Sequence, residues 1–312
     1  VLILNKYLLI ILALLIIVIF ASGQKDGGIV GIGTNHFDNG EISFDYPDTW
    51  NKTNGTGSNV VSFTDANGLN VKVFRLRTPP NYNLSRRINL DAAGTIDKNF
   101  LLVSKENITV NGTTAYKRDF NVTGKNGTHQ RREVWIERNN LIYSIILTAP
   151  EGVNVNSVDV LISSLKINDS AATPKYSGWA EIIIPDIDAR WKFCSQSVNT
   201  PGAVFHVPYG YFPGGRGQMA LLGHRTTRHA PFLHISKLDP GDRIIINDFL
   251  TQKKYIYQVT QNDDIRWGVK WNDIDYQASE EPQLLLITCH PPGFARAALI
   301  VHSRLVDVEP LN

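Results

Sequence analysis

Cysteine is nearly absent from this chain: only Cys194 and Cys289 occur, and no C-x-x-C pair exists. That spacing excludes a structural zinc site and thioredoxin-like dithiol chemistry. Two readings remain for the pair, a disulfide between them in a secreted chain or free thiols of which one is reactive. Charge of one sign is also missing. The net charge is +2, and no stripe of Lys and Arg interleaved with aromatics appears, which argues against nucleic acid as a partner. The acidic pairs Asp263–Asp264 and Glu280–Glu281 lack the alternation of a calcium loop, and His36 and His129 stand alone. No metal and no cofactor is expected.

What is present begins with apolar content. At 43% hydrophobic residues over 312 positions, the chain has enough apolar material for two domains with real cores. Tyr7 to Ala21 is an unbroken apolar run flanked by Lys6 and by Ser22-Gly23-Gln24-Lys25. As a helix it would reach about 22 Å, and residues on either side extend it toward the roughly 30 Å of a bilayer core. Residues 1–23 are therefore expected to form a membrane helix with a cytoplasmic N-terminus, with a cleaved signal peptide as the rival. Either way both domains are placed outside the cytoplasm. Acceptor sequons Asn-x-Ser/Thr occur at Asn51, Asn54, Asn83, Asn107, Asn111, Asn121, Asn126 and Asn168, and none follows. That one-sided distribution predicts a glycosylated first half and a bare second half.

After a Gly-rich tether over 24–40, the pattern turns to strands. Ile42, Phe44 and Tyr46 alternate with polar residues. Asn67-Gly68 and Asn139-Asn140 each sit between two β-rich runs and predict hairpins. Helical spacing is read over Asn89–Phe100, and a closing amphipathic helix over Val155–Leu165 with Val158, Leu161 and Leu165 on one face. Residues 41–169 thus predict an α+β domain on an antiparallel sheet. Ile42-Ser-Phe-Asp-Tyr46-Pro47-Asp-Thr-Trp50 resembles the opening of the PsbP-like family. The resemblance implies a binding or scaffolding module without catalytic residues.

Residues 170–177 are small and polar and predict a linker. From 178 to 312, short β-rich segments recur at Ala180–Pro185, Ala203–Val207, Met219–Leu222, Arg243–Asn247, Lys254–Val259, Gln283–Thr288 and Ala298–Val306. Such spacing predicts an all-β closed barrel. The run Leu284-Leu-Leu-Ile-Thr-Cys289 ends an apolar strand in a thiol, while Gly223-His224-Arg225 supplies a remote imidazole. A nucleophile fixed by a strand and an acid/base from another element is how a cysteine enzyme is built. On residues alone, His229, His234, His290 and His302 compete with His224, and Cys289 as an inert core thiol remains open.

The order Ile184-Pro185, Tyr211-Phe-Pro213-Gly214, Gly223-His224-Arg225-Thr-Thr, Leu238-Asp-Pro240-Gly241-Asp242 and Ile287-Thr288-Cys289-His290-Pro291 resembles the sortases, class E in particular. The resemblance implies a cell-surface transpeptidase. Cys289 would attack a Thr-Gly type bond in a C-terminal sorting signal, and His224 would protonate the leaving amine. An amine acceptor would then take the acyl group. The family's arginine is expected nine residues after the cysteine, where Ala298 stands, so Arg296 is the candidate, with Arg225, Arg228 and Arg304 as alternatives. A signal-binding protein with poor turnover, and a hydrolase, are the other readings.

Overall fold

The computed structural model describes residues 33–79, 82–92, 99–124, 127–173 and 178–311. The membrane run Tyr7–Ala21, Asn126 and residues 174–177 of the predicted linker lie outside them. Among the described residues no helix is long and apolar enough to cross a membrane.

The first domain contains β1 (Thr34–Asp38), β2 (Ile42–Pro47), β3 (Asn51–Asn54), β4 (Asn59–Thr64), β5 (Asn70–Arg77), α1 (Leu84–Ala92), β6 (Phe100–Val110), β7 (Thr113–Gly124), β8 (Gly127–Arg138), β9 (Leu141–Pro150), α2 (Val158–Ser164) and β10 (Lys166–Ile167). Seven strands form one antiparallel sheet in the order β3-β4-β5-β9-β8-β7-β6, and β1, β2 and β10 form a smaller one. Alternation sorts the large sheet's side chains between two faces. Val134, Ile136, Tyr143 and Ile145 join Phe44, Leu161 and Leu165 in a core beneath the small sheet and α2. Trp135, Ile142, Phe120 and Val122 face the other way and join the core of the second domain.

Both predicted hairpins form, β4–β5 and β8–β9. The helix expected over Asn89–Phe100 starts earlier, at Leu84, because Asn83 Oδ1 accepts the Arg86 N–H at 2.7 Å and caps it there. Phe100 is not helical. It opens β6, buried edge-on against Phe120 with ring centroids 6.1 Å apart.

The second domain contains β11 (Ala180–Ile184), β12 (Ala189–Cys194), β13 (Ala203–His206), β14 (Gln218–Leu222), β15 (Arg243–Asp248), β16 (Lys253–Trp267), β17 (Gln283–His290) and β18 (Ala297–Pro310). They close into an eight-stranded barrel in the order β11-β12-β13-β14-β17-β18-β16-β15. Pairs β12–β13 and β14–β17 are parallel, and the other pairs are antiparallel. β12 has no counterpart among the segments read from sequence, and β16 runs well beyond its predicted end at Val259.

The domains are not beads on a linker. Leu84 and Ile88 of α1 and Trp135 of β8 share one continuous core with Trp179, Phe212 and Tyr255 of the barrel. Across this junction Arg87 Nη2 donates to Asp248 Oδ2 at 2.7 Å, with both side chains 0% exposed. Arg86 donates to the carbonyls of Pro208 and Gly210 at 3.2 and 2.9 Å. Arg131 bonds Glu133 Oε1 at 2.8 Å and reaches the carbonyl of Thr251 at 3.2 Å. Burial alone would raise the Glu133 carboxyl, but the charges of Lys253, Arg118 and Arg131 outweigh it and hold it down to about 2.

Candidate active site

The site is set by strand register. In the parallel pair β14–β17, Ala220 faces Leu285 and Leu222 faces Ile287. Side chains at Met219, Leu221, Leu284 and Leu286 fill the barrel interior. Their neighbours Ala220, Leu222, Leu285 and Ile287 form an outer apolar layer. The same offset continues past the end of β14. Gly223 N–H donates to the Ile287 carbonyl at 3.1 Å, and Thr288 Oγ1 donates to the Gly223 carbonyl at 2.8 Å across 65 residues. Two residues beyond Leu222 and Ile287, on the same outer face, stand His224 and Cys289. On the other side of β17, Cys289 faces Ala298 of β18. The row across three strands is therefore His224, Cys289, Ala298.

Gly223 is required for this approach. A Cβ there would fall 2.6 Å from the Phe232 ring, and Phe232 N–H returns to the His224 carbonyl at 3.0 Å. The chain then turns through Arg228, His229 and Ala230, three consecutive non-glycine residues with φ of 53°, 67° and 45°. Left-handed backbone at such residues costs roughly 1–3 kcal/mol each and tends to cluster at functional sites.

A cavity of about 230 Å³ covers the row. His224, Cys289 and Ala298 line it with Leu222, Ile287, Ala295 and Ala297. Val198 from the β12–β13 connection and Val269, Lys270 and Trp271 from the β16–β17 connection supply the other walls. Trp267 and Phe294 stand beside it at 64% and 56% exposure, and the Trp267 ring lies edge-on to His290 at 5.9 Å.

Both cysteines are free, so the disulfide reading is overturned. Cys194 is buried, its Sγ 3.2 Å from the Ser197 carbonyl. Cys289 is half-buried and open to the cavity. His224 Nε2 lies 3.0 Å from Asn199 Oδ1. An amide oxygen only accepts, so Nε2 carries the proton and the neutral ring keeps its lone pair at Nδ1. Burial first, and then the charge of Arg228, push the His224 pKa below its ordinary value. The ring is therefore neutral at pH 7, ready to accept a proton.

The rival histidines are placed elsewhere. His302 pairs with Asp264 at 2.8 Å, and His290 Nδ1 meets Arg225 Nη1 at 3.2 Å. Neither lines the cavity.

Arg296 is not brought into the row. Its neighbours Ala295 and Ala297 line the cavity, but its own guanidinium sits over the Phe294 ring, 5.1 Å from the centroid, on the exposed side. Its carbonyl accepts from Gly268 N–H at 3.0 Å, which fixes it one residue before β18 begins.

Arg225 is the arginine beside the cysteine. At 7% exposure, its Nη1 lies 3.3 Å from the Cys289 carbonyl, and its Nη2 donates to Ser236 Oγ at 2.8 Å. Asn199 went unnoticed in the sequence, where Ser197-Val-Asn-Thr-Pro reads as an ordinary turn. Only the fold carries that turn to the imidazole.

Comparison with known proteins places this geometry. Residues 182–306 match the family model described as the sortase domain. Sortase SrtE1 of Streptomyces coelicolor is 29% identical over 101 residues, covering 30% of this chain and 28% of the relative. The aligned part is thus about a quarter of that relative's length. Among solved structures, Sortase E1 from Streptomyces coelicolor with a tripeptide in its active site is similar at 24% identity. Its TM-score is 0.36, with 43% of this chain and 91% of that chain covered. Sortase C-3 from Streptococcus pneumoniae is similar at 19% identity and a TM-score of 0.39, covering 47% and 71% of the two chains. The match to the sortase-domain model runs through the barrel from Ile182 to Val306 and takes in His224 and Cys289.

Proposed function

We propose that the chain is a cysteine transpeptidase acting on sorting-signal peptides outside the cytoplasm. The observation that carries this is the shared row: a free thiol on β17 and an imidazole two residues past the end of neighbouring β14, both opening into one cavity. The Cys289 thiol passes its proton to His224 as the sulfur attacks the scissile carbonyl carbon. The peptide C–N bond breaks, His224 returns the proton to the departing amine, and the acyl group stays on sulfur as a thioester. An incoming amine attacks the thioester, loses a proton to His224, and releases Cys289. The apolar lining of Val198, Leu222, Ile287 and Trp271 suits an aliphatic side chain near the scissile bond, consistent with a Leu-x-x-Thr-Gly type signal.

The first domain serves as a rigid spacer or partner-binding module, in keeping with its PsbP-like opening. The apolar run at Tyr7–Ala21 tethers both domains to the outer membrane face. The sequon asparagines Asn51, Asn54, Asn107 and Asn121 are exposed, which supports glycosylation of that half. Asn83 and Asn168 are exposed too, but their amides are held in backbone hydrogen bonds. Absence of glycan mass on the natively expressed protein would remove that part.

Incubation of the full chain with a Leu-x-x-Thr-Gly peptide, with and without an amine acceptor, tests the chemistry. Amide product in the presence of acceptor is the expected result. Acid product alone points to a hydrolase. Binding without cleavage points to a signal-binding protein, the reading that Ala298 at the end of the row favours, since it leaves no cation there.

A further inference from the structure

Position 298, opposite Cys289 in the antiparallel ladder, carries no charge, and Arg296 is turned out onto Phe294. A thiol nucleophile still needs a cationic partner to hold its thiolate, since a free thiol with pKa about 8.5 is mostly protonated at neutral pH. Arg225 is the buried guanidinium next to it. It follows His224 in the chain and faces His290 across the same 65-residue offset. Its donors reach the Cys289 carbonyl, the His290 ring and Ser236. Its Nε has no hydrogen-bond partner, so this fork is held off water with one donor unsatisfied. Burial lowers the Arg225 pKa, and its interaction with Cys289 partly offsets that.

We propose that Arg225 is the positioning residue of the thiol. It locks the carbonyl of Cys289 to the His224 segment and presents a buried positive charge to the sulfur from behind the cavity, in the role that position 298 leaves vacant. The proposal rests on Cys289 being the nucleophile. Arg225 does not line the cavity, so it is not placed to touch a peptide bound there. Its loss is therefore felt in the thiol's reactivity and in kcat, with KM little changed.

The test is alkylation of Cys289 by iodoacetamide at pH 7 in the full chain, read by peptide mapping with no peptide substrate present. Arg225→Gln is expected to slow alkylation about tenfold, equivalent to roughly 1.4 kcal/mol. Arg225→Lys, which keeps charge but loses the fork, should stay within about threefold of the parent. Arg243→Gln removes a charge from an exposed barrel position at the start of β15 and should change nothing. If Arg225→Gln compromises folding, Ser236→Ala carries the test. It frees the Nη2 anchor while keeping the charge, and should slow alkylation about twofold to threefold. Parent-like rates in every folded variant overturn the proposal, as does an Arg225→Lys rate as low as that of Arg225→Gln. Because alkylation needs no acyl donor, these outcomes are independent of whether the protein transpeptidates. Where transfer does occur, a rise in KM with unchanged kcat in Arg225→Lys would also overturn it.

Discussion

Two of the places where the chain withdraws polar side chains from water, the domain junction and the neighbourhood of the cavity, are treated differently. At the junction Arg87 and Asp248 are fully enclosed, and Asp248 Oδ1 also accepts the N–H groups of Leu250 and Thr251 at 2.9 and 3.2 Å. Glu133 is likewise enclosed by Arg118, Arg131 and Lys253. Charges here meet opposite charges and have no opening to solvent. Beside the cavity, Arg225 is buried against a carbonyl, a hydroxyl and an imidazole, with no carboxylate among those partners. The thiol and His224 are only half-covered. Removing a partner from a neutralised buried pair damages the fold, whereas altering an uncompensated cation beside an open thiol changes reactivity.

The largest effect that could break this contrast is Cys289→Ala. Peptide transfer should fall by more than about 10⁴-fold, while the denaturant midpoint stays near the parent's. A variant that still cleaved would remove the thiol mechanism. Arg87→Met should do the opposite. It leaves Asp248 enclosed without its ion partner and should cost roughly 3–5 kcal/mol in urea unfolding, with Cys289 alkylation in the folded protein unchanged.

Acid comes next. His206 is buried at the junction among Trp179, Phe193 and Phe212, and its Nε2 donates to the Tyr211 carbonyl at 3.0 Å. Burial first, with Arg87 and Arg86 adding to it, lowers its pKa to about 4. The unfolded chain takes up a proton near pH 6.5 that the folded chain refuses until about 4. Stability should thus fall as pH drops through that window, by about 3 kcal/mol at its lower end. A stability that stayed flat between pH 6.5 and 4 would remove His206 from this account. The smallest effect is Arg228→Ala. Removing one of the two causes that lower the His224 pKa should move the acid limb of the transfer profile upward. No shift, or a downward one, would put another group on that limb.

How much of this was readable beforehand depended on locality. The hairpin at Asn139-Asn140 is set by two left-handed residues, with φ of 55° and 59°, and their chemistry is written in the dipeptide. Strand β12, Ala-Arg-Trp-Lys-Phe-Cys, carries no turn signal of glycine type. It is held by β11 on one side and parallel β13 on the other, and the bend before it uses Asp188 at φ 48°. Cys289 and His224 stood out through their own motifs. Arg225 gains its position from the parallel register of β14 and β17, and Asn199 from the turn that joins β12 to parallel β13, which no local pattern encodes. Residues two apart share a strand face, the basis for expecting Arg296 in place of position 298; β18 begins at Ala297, and the Arg296 side chain just before it lies over the Phe294 ring.

The core running from α1 through the barrel also bears on how this chain comes apart. A protease that nicks the connection between residues 170 and 177 would not release two proteins. The halves would stay clasped through Trp135, Trp179 and the Arg87–Asp248 contact, and would melt together in a single transition. A force applied to a peptide held at Cys289 would reach the first domain through that clasp as well as along the backbone.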